Sequence, residues 1–242
     1  MIHIGPVDLE KKAAVVAVIL ENPFETSKKA AEMGAEILEI RLDLLGIRDL
    51  EIAAGTIRKI KLETGLPVIL TNRSQIEGGK WEGKEAERIG LIKNLLSLKD
   101  GPDAVDIELS ADREERDNAV KEAKIHGKSV VISSHDFSKT PSFQEMKAIL
   151  EDAFLAGADI AKLAVMPHSM KDILELLEVT LDAREADRAV CSIAMGKLGK
   201  HTRVIAPFYG SVLTYASVES TVSAAPGQLP VDELKKVMEL LE

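Results

Sequence analysis

The sequence is poor in the residues that staple a chain, wrap nucleic acid or embed in a membrane. It has one cysteine, Cys191, so neither an internal disulfide framework nor a cysteine-based zinc site can form. A lone thiol suits a reducing cytoplasm, the expected location. Aromatic residues are only 3% of the chain, and no basic block is interleaved with them. Charge points the same way: 31 Lys and Arg stand against 40 Asp and Glu, a formal net charge of −9. Both argue against nucleic acid as a partner. The longest apolar run, 13–20, is too short to cross a bilayer, so no membrane partner is expected. Residues 1–8 lack a basic stretch followed by an apolar one, so no signal peptide is expected. No Pro/Gly/Ser-rich linker divides the chain. What is present is 242 residues, 45% of them hydrophobic, enough to bury one large core. A single domain over 1–242 is the expectation.

The order of elements reads as strand, then helix, repeated. Strands are expected at 13–20, 35–43, 67–72, 103–109, 129–134, 158–165, 188–195 and 211–217. Helices are expected at 25–33, 50–64, 84–98, 111–126, 142–156, 168–183, a short one near 198–206, and 232–241. Several helices stop at a glycine, and Ser142 with Glu145 forms a capping-box pattern. The strands are mostly continuous apolar runs, as parallel strands buried on both faces should be. Eight such units in this length predict an α/β fold of the (β/α)8 TIM-barrel type. An open doubly wound sheet competes, but the first strand–helix turn, Glu21-Asn22-Pro23, has no glycine to cradle a phosphate.

The strand around Lys162 stands out. Ala158-Asp159-Ile160-Ala161-Lys162-Leu163-Ala164-Val165 places one lysine inside an apolar run. Burial disfavours the ammonium and favours the neutral amine, a nucleophile toward ketones; snorkelling to water is the alternative. Other strands supply context. Successive strand residues face opposite sides, so Glu39, Arg41 and Asp43 share one face, as do Asp106 and Glu108. Further strands end in Asn72-Arg73, in Ser133-Ser134-His135-Asp136 and in Met195-Gly196. Polar groups gathered at the C-terminal ends of barrel strands mark the mouth, where active sites of this fold lie. Lys162 then reads as an imine-forming nucleophile and His135 as a proton-transfer group. The carboxylates would orient the histidine and bind hydroxyls. Arg41, Arg73 and Arg203 would hold an anion, a carboxylate rather than a phosphate ester. The chemistry inferred is enamine handling of a sugar-acid-like ketone.

The segments Glu39-Ile40-Arg41-Leu42-Asp43, Asn72-Arg73-Ser74 with Glu77-Gly78-Gly79, and Val105-Asp106-Ile107-Glu108 occur in order. Ile132-Ser133-Ser134-His135-Asp136, Ala161-Lys162-Leu163-Ala164, Ser192-Ile193-Ala194-Met195-Gly196, Arg203 and Ala225-Pro226-Gly227-Gln228 follow. With these motifs the chain resembles type I 3-dehydroquinate dehydratases over nearly its whole length. The resemblance implies syn dehydration of 3-dehydroquinate to 3-dehydroshikimate, a step of the shikimate pathway. It implies that Lys162 forms the imine and that His135 acts as base and then acid, oriented by Glu77. Glu39, Arg41 and Arg73 would hold the ring hydroxyls, and Arg203 and Gln228 the carboxylate. No metal and no organic cofactor is implied, and the assembly is commonly a homodimer. Two positions depart from the family pattern: Ala224 stands where many members carry serine, with Ser223 beside it, and Ala17 stands where many carry another.

Other residues read as structural. Cys191 is expected in the core, and His3, His126, His168 and His201 in solvent, with His201 close to Arg203 in sequence. Trp81 is expected on the barrel rim or in a lid, and 223–230 in a loop that orders over bound substrate. Asp106 and Glu108 read either as partners of Lys162 or as members of a core ion network. The functional alternatives are another Schiff-base barrel of the class I aldolase type, which would want a phosphate site or a second catalytic lysine or tyrosine, and a non-catalytic binding barrel.

Overall fold

The structure is a computed structural model and describes residues 2–219 and 225–241. Its main sheet has eight strands: β1 (Ala14–Ile19), β2 (Ile37–Arg41), β3 (Val68–Thr71), β4 (Ala104–Glu108), β5 (Ser129–Asp136), β6 (Ile160–Val165), β7 (Val190–Ala194) and β8 (Leu213–Ala216). All neighbours pair in parallel, in the order β8-β1-β2-β3-β4-β5-β6-β7. The seam between β7 and β8 is closed by the bridge Val190–Ser211 and by the Val212 N–H, which donates to the Val190 carbonyl at 2.8 Å. Outside lie α1 (Pro23–Glu32), α2 (Leu50–Thr64), α3 (Glu85–Leu96), α4 (Arg113–Ile125), α5 (Phe143–Leu155), α6 (Met170–Glu185), α7 (Thr202–Tyr209) and α8 (Val231–Glu239). This is the expected (β/α)8 barrel.

Local sequence explains the helix ends. Pro23 opens α1 at its first turn, where a missing N–H costs nothing. Asp49 caps α2 by accepting from the Ile52 N–H at 2.9 Å, and Ser142 with Glu145 forms the expected capping box of α5. Gly65 ends α2 at φ 69°, a left-handed turn that suits glycine.

Alternate strand residues build two cores. The outward set, such as Leu38, Ile40, Leu70, Ile107 and Ile132, packs on helix residues such as Ile57, Ile92 and Leu176. The inward set fills the barrel floor with Val16, Ile37, Ile69, Ala104, Val131, Ile160 and Leu213. Each valine, leucine or isoleucine so buried contributes about 1.5–3 kcal/mol of burial free energy. Beneath the floor a hairpin, His3–Ile4 paired with Val7–Asp8, inserts Ile4 and Leu9 into the same cluster. Its strands are too short to leave a periodic pattern in the sequence.

Most boundaries shift by one or two residues, and three departures from expectation bear on the site. β2 ends at Arg41, and Leu42–Leu45 coil into a helical turn stopped by Gly46, so Asp43 is not a strand residue although it is buried. β5 runs on through His135 and Asp136, paired with Ala164 and Val165, because the ladder continues after the apolar run has ended. The helix expected near 198–206 is split into Gly196–Gly199 and α7. Thr202 stitches the break, its hydroxyl donating to the Gly199 carbonyl at 2.7 Å and accepting from the Ala194 N–H at 3.2 Å.

Candidate active site

Above the floor the inward-facing residues of β2 to β6 turn polar. A small cleft opens among them at the C-terminal ends of the strands. Glu39, Arg41, Arg73, Glu77, His135, Lys162, Arg203 and Gln228 all border it. Every site residue expected from the sequence is therefore brought to one cavity. The opposite wall is apolar: Val18, Ala164, Ile193, Met195 and Tyr215.

Lys162 is 5% exposed and does not snorkel to water. It is also not orphaned, as the apolar strand would suggest. Its Nζ donates to Asp106 Oδ2 at 2.8 Å and lies 3.8 Å from Glu39 Oε1. Asp106 Oδ1 accepts from Arg73 Nη2 at 2.8 Å and from the Ser133 hydroxyl at 2.6 Å. Burial alone would raise the Asp106 carboxyl, but Arg73 and Lys162 outweigh it and hold the group far below the usual carboxylate range. Arg73 also donates to Ser133 Oγ at 2.7 Å. Burial opposes its charge; Asp106, Glu108, Glu39 and Glu77 more than offset that.

His135 Nδ1 lies 2.8 Å from Glu77 Oε2, and its backbone N–H donates to the same oxygen at 3.0 Å; with Glu77 ionised, Nδ1–H is the donor of the first contact as well. The other Glu77 oxygen accepts from the Ser110 hydroxyl. Burial, with Arg73 and Lys162 nearby, holds the imidazole well below its ordinary pKa, so the ring is neutral at pH 7. Burial likewise pushes the Glu77 carboxyl up to about 7, against the pull of Ser110 and Arg73. Glu77 is delivered by the short turn Gln75–Glu77 after β3. Gly79 follows because a Cβ there would lie 2.1 Å from the Arg73 carbonyl oxygen.

The arginines divide by partner. Arg41 grips Asp43 with two nearly parallel bonds of 2.9 and 2.8 Å, and Asp43 also accepts the backbone N–H groups of Arg73 and Lys80 at 3.2 and 3.1 Å. Arg203 is different. It is 2% exposed, and its guanidinium donates to the carbonyls of Gly227 at 2.9 Å, Tyr215 at 3.0 Å and Pro226 at 3.4 Å. Among the described residues no carboxylate pairs with it, and burial lowers it to about 10. A desolvated cation without a counter-charge is a receptor for an anion. Gln228 is half-buried beside it.

Type I 3-dehydroquinase is the family whose model matches residues 14–242. The chain belongs to the type I 3-dehydroquinase family. It is 78% identical to 3-dehydroquinate dehydratase of Methanosarcina barkeri over the full length of both chains. The solved 3-dehydroquinate dehydratase of Geobacillus kaustophilus superposes with a TM-score of 0.89 at 32% identity, covering 96% of this chain and 91% of that one. The type I enzyme of Clostridium difficile, solved with covalently modified comenic acid, gives 0.91 at 27% identity, with 99% and 96% covered.

Within this type I 3-dehydroquinase framework the open readings separate. Asp106 is a direct partner of Lys162. Glu108 is not: it accepts from Arg88 Nη1 and the Ser74 N–H, both at 2.7 Å, and so belongs to a buried ion network. Cys191 is fully buried, and burial pushes its thiol up to about 12. His3, His126, His168 and His201 are exposed, with His126 bonded to Glu122 and His168 to the Ser138 carbonyl. Trp81 packs on the rim, its indole N–H donating to the Lys84 carbonyl at 3.2 Å. Ser223 and Ala224 lie outside the described residues. The rest of that segment is held down: the Gly196 N–H donates to the Pro226 carbonyl at 3.0 Å and the Ser217 N–H to Leu229 at 2.9 Å. Ser110, Thr71 and Tyr215 escaped sequence reasoning, and Ser133 was read only as part of a strand-end motif, with no partner assigned. Thr71 and Ser133 do share the inward parity of their strands, and that was the available signal.

Proposed function

We propose that this family member is a 3-dehydroquinate dehydratase, a hydro-lyase acting through an imine on Lys162, with the whole chain as one catalytic domain. The observation that supports it most directly is the convergence of a buried lysine and a neutral histidine, whose Nδ1 is committed to Glu77, on one cleft. The Lys162 amine adds to the ring ketone and, with a proton taken up, expels one water to leave an iminium. That cation acidifies the adjacent C–H. With Nδ1 donating to Glu77, His135 Nε2 carries the lone pair that removes the proton. The enamine then expels the hydroxyl, and the same Nε2–H protonates it as water. One group serving both steps fits departure from one face. Hydrolysis of the iminium consumes a water and returns the amine.

Arg203, lacking a carboxylate partner, takes the substrate carboxylate with Gln228. Glu39, Arg41 and Arg73, on the polar wall, take the ring hydroxyls. No metal is called for: the proton transfers are assigned to His135 and the electron sink to Lys162. We infer a cytoplasmic homodimer; the single buried thiol suits a reducing compartment.

The test is borohydride reduction in the presence of 3-dehydroquinate, followed by peptide mass measurement. A ligand-sized gain on the peptide bearing Lys162, absent in Lys162→Ala, is expected. Product formed without any trapped adduct would leave the reaction standing and remove Lys162 from it. Neither product nor adduct from a folded sample would bring forward an aldolase-type or a purely binding barrel.

A further inference from the structure

The apolar wall holds one aromatic side chain against the reacting nitrogen. Tyr215 faces inward from β8 and is 3% exposed. Lys162 Nζ lies over its ring, 4.0 Å from the centroid. The Tyr215 hydroxyl is buried and has no hydrogen-bond partner among the described residues. A buried unpaired hydroxyl is a cost, so the ring face is what this position supplies.

We propose that the Tyr215 ring is a catalytic group that keeps the lysine–substrate nitrogen protonated, so that the covalent intermediate is the cationic iminium and not the neutral imine. This deepens, and rests on, the imine reading above. An ammonium has three N–H donors. Condensation of the amine with the ketone, taking up one proton and releasing one water, leaves an iminium with a single N–H. Asp106 Oδ2, 2.8 Å from the nitrogen, is placed to accept that N–H. It is also placed to remove the proton, which would quench the electron sink.

The groups facing the nitrogen decide the outcome. Asp106 on β4 is braced by Arg73 and Ser133 and is a weak base. Glu39 on β2 stands 3.8 Å away, with its nearer oxygen already accepting from the Thr71 hydroxyl at 2.7 Å. Cys191 on β7 and His135 on β5 are uncharged. Tyr215 closes the remaining side with the negative face of its quadrupole. Val18, Ala164, Ile193 and Met195 make that side apolar, and a cation over a ring gains more where water is excluded. The ring face under the nitrogen carries no lone pair, so it stabilises the cation without offering a base.

The experiment replaces Tyr215 with phenylalanine, 4-fluoro-, trifluoro- and pentafluorophenylalanine, and with leucine. The rings have nearly constant shape and steadily weaker π faces. Adducts with 3-dehydroquinate are trapped by cyanoborohydride, which reduces the protonated imine, across pH. The alkaline limit of trapping at Lys162 should move steadily down along the ring series. A loss of about tenfold in trapping at a fixed alkaline pH is expected between phenylalanine and pentafluorophenylalanine, with Tyr215→Leu at least as low. A limit that ignores fluorination overturns the proposal. So does a limit that has already moved in full at Tyr215→Phe, since the hydroxyl would then carry the effect. Unaltered protein that yields no adduct at any pH overturns the imine reading itself, and this proposal with it.

Discussion

A histidine with Nδ1 committed to a carboxylate has one nitrogen left for chemistry, and the carboxylate's charge decides how well that nitrogen works. Glu77 is pushed up to about 7 by burial. As pH falls through that value its carboxyl is protonated and the negative partner of His135 is lost. Activity should therefore show an acid limb near pH 7, falling as pH drops. Glu77→Gln should lower turnover by about 10- to 100-fold, the worth of a charged hydrogen bond, and abolish that limb; a profile of kcat/KM against pH reads both. An unchanged limb would assign it to another group. At this scale the sequence was legible where a charge broke an apolar alternation, as at Lys162, Glu39 and Asp106. It was illegible for Tyr215 and Ser110. A tyrosine in a strand looks like packing, and a serine just past a strand looks like a turn. Their importance comes from which side chain stands opposite, and that is a tertiary fact.

Among the elements, the segment after β3 has the most exacting task. It must present Glu77 to His135 while making little regular structure of its own. Asp43 anchors it, accepting the Arg73 and Lys80 N–H groups while it grips Arg41. Asp43→Ala would leave the Arg41 charge buried and unpaired, and should cost about 3–5 kcal/mol in urea unfolding. Its partners hold the Asp43 carboxyl below 3.8, overcoming the opposing effect of burial. The stability it contributes is thus present above about pH 4 and lost as pH falls further, so the wild-type and variant urea midpoints should converge in acid. Equal midpoint differences at pH 7 and in acid would show the anchor to be steric. Strand and helix order were readable because floor and outer face obey simple periods. The turn at Leu42–Leu45 and the extension of β5 were not, because near the mouth the backbone ladder and the apolar pattern end at different residues.

Across the whole molecule the barrel is least bonded at one seam. Every other pair of neighbouring strands shares a ladder, whereas β7 and β8 meet through the bridge at Val190–Ser211 and side-chain support from Ser211, whose hydroxyl accepts the Ser192 N–H at 3.1 Å. Local opening should start where hydrogen bonds are fewest. In native-state hydrogen exchange, amides of 211–213 should exchange faster than those of β4 to β6, and uniform protection would contradict this. The hairpin under the floor has a different consequence. With Ile4 and Leu9 driven into its base, the barrel is a tube with one open end. Substrate must back out as product by the route it used to enter, and the waters released and consumed along the way share that doorway. Traffic is single file, so a ligand seated at the mouth should slow arrival and departure alike.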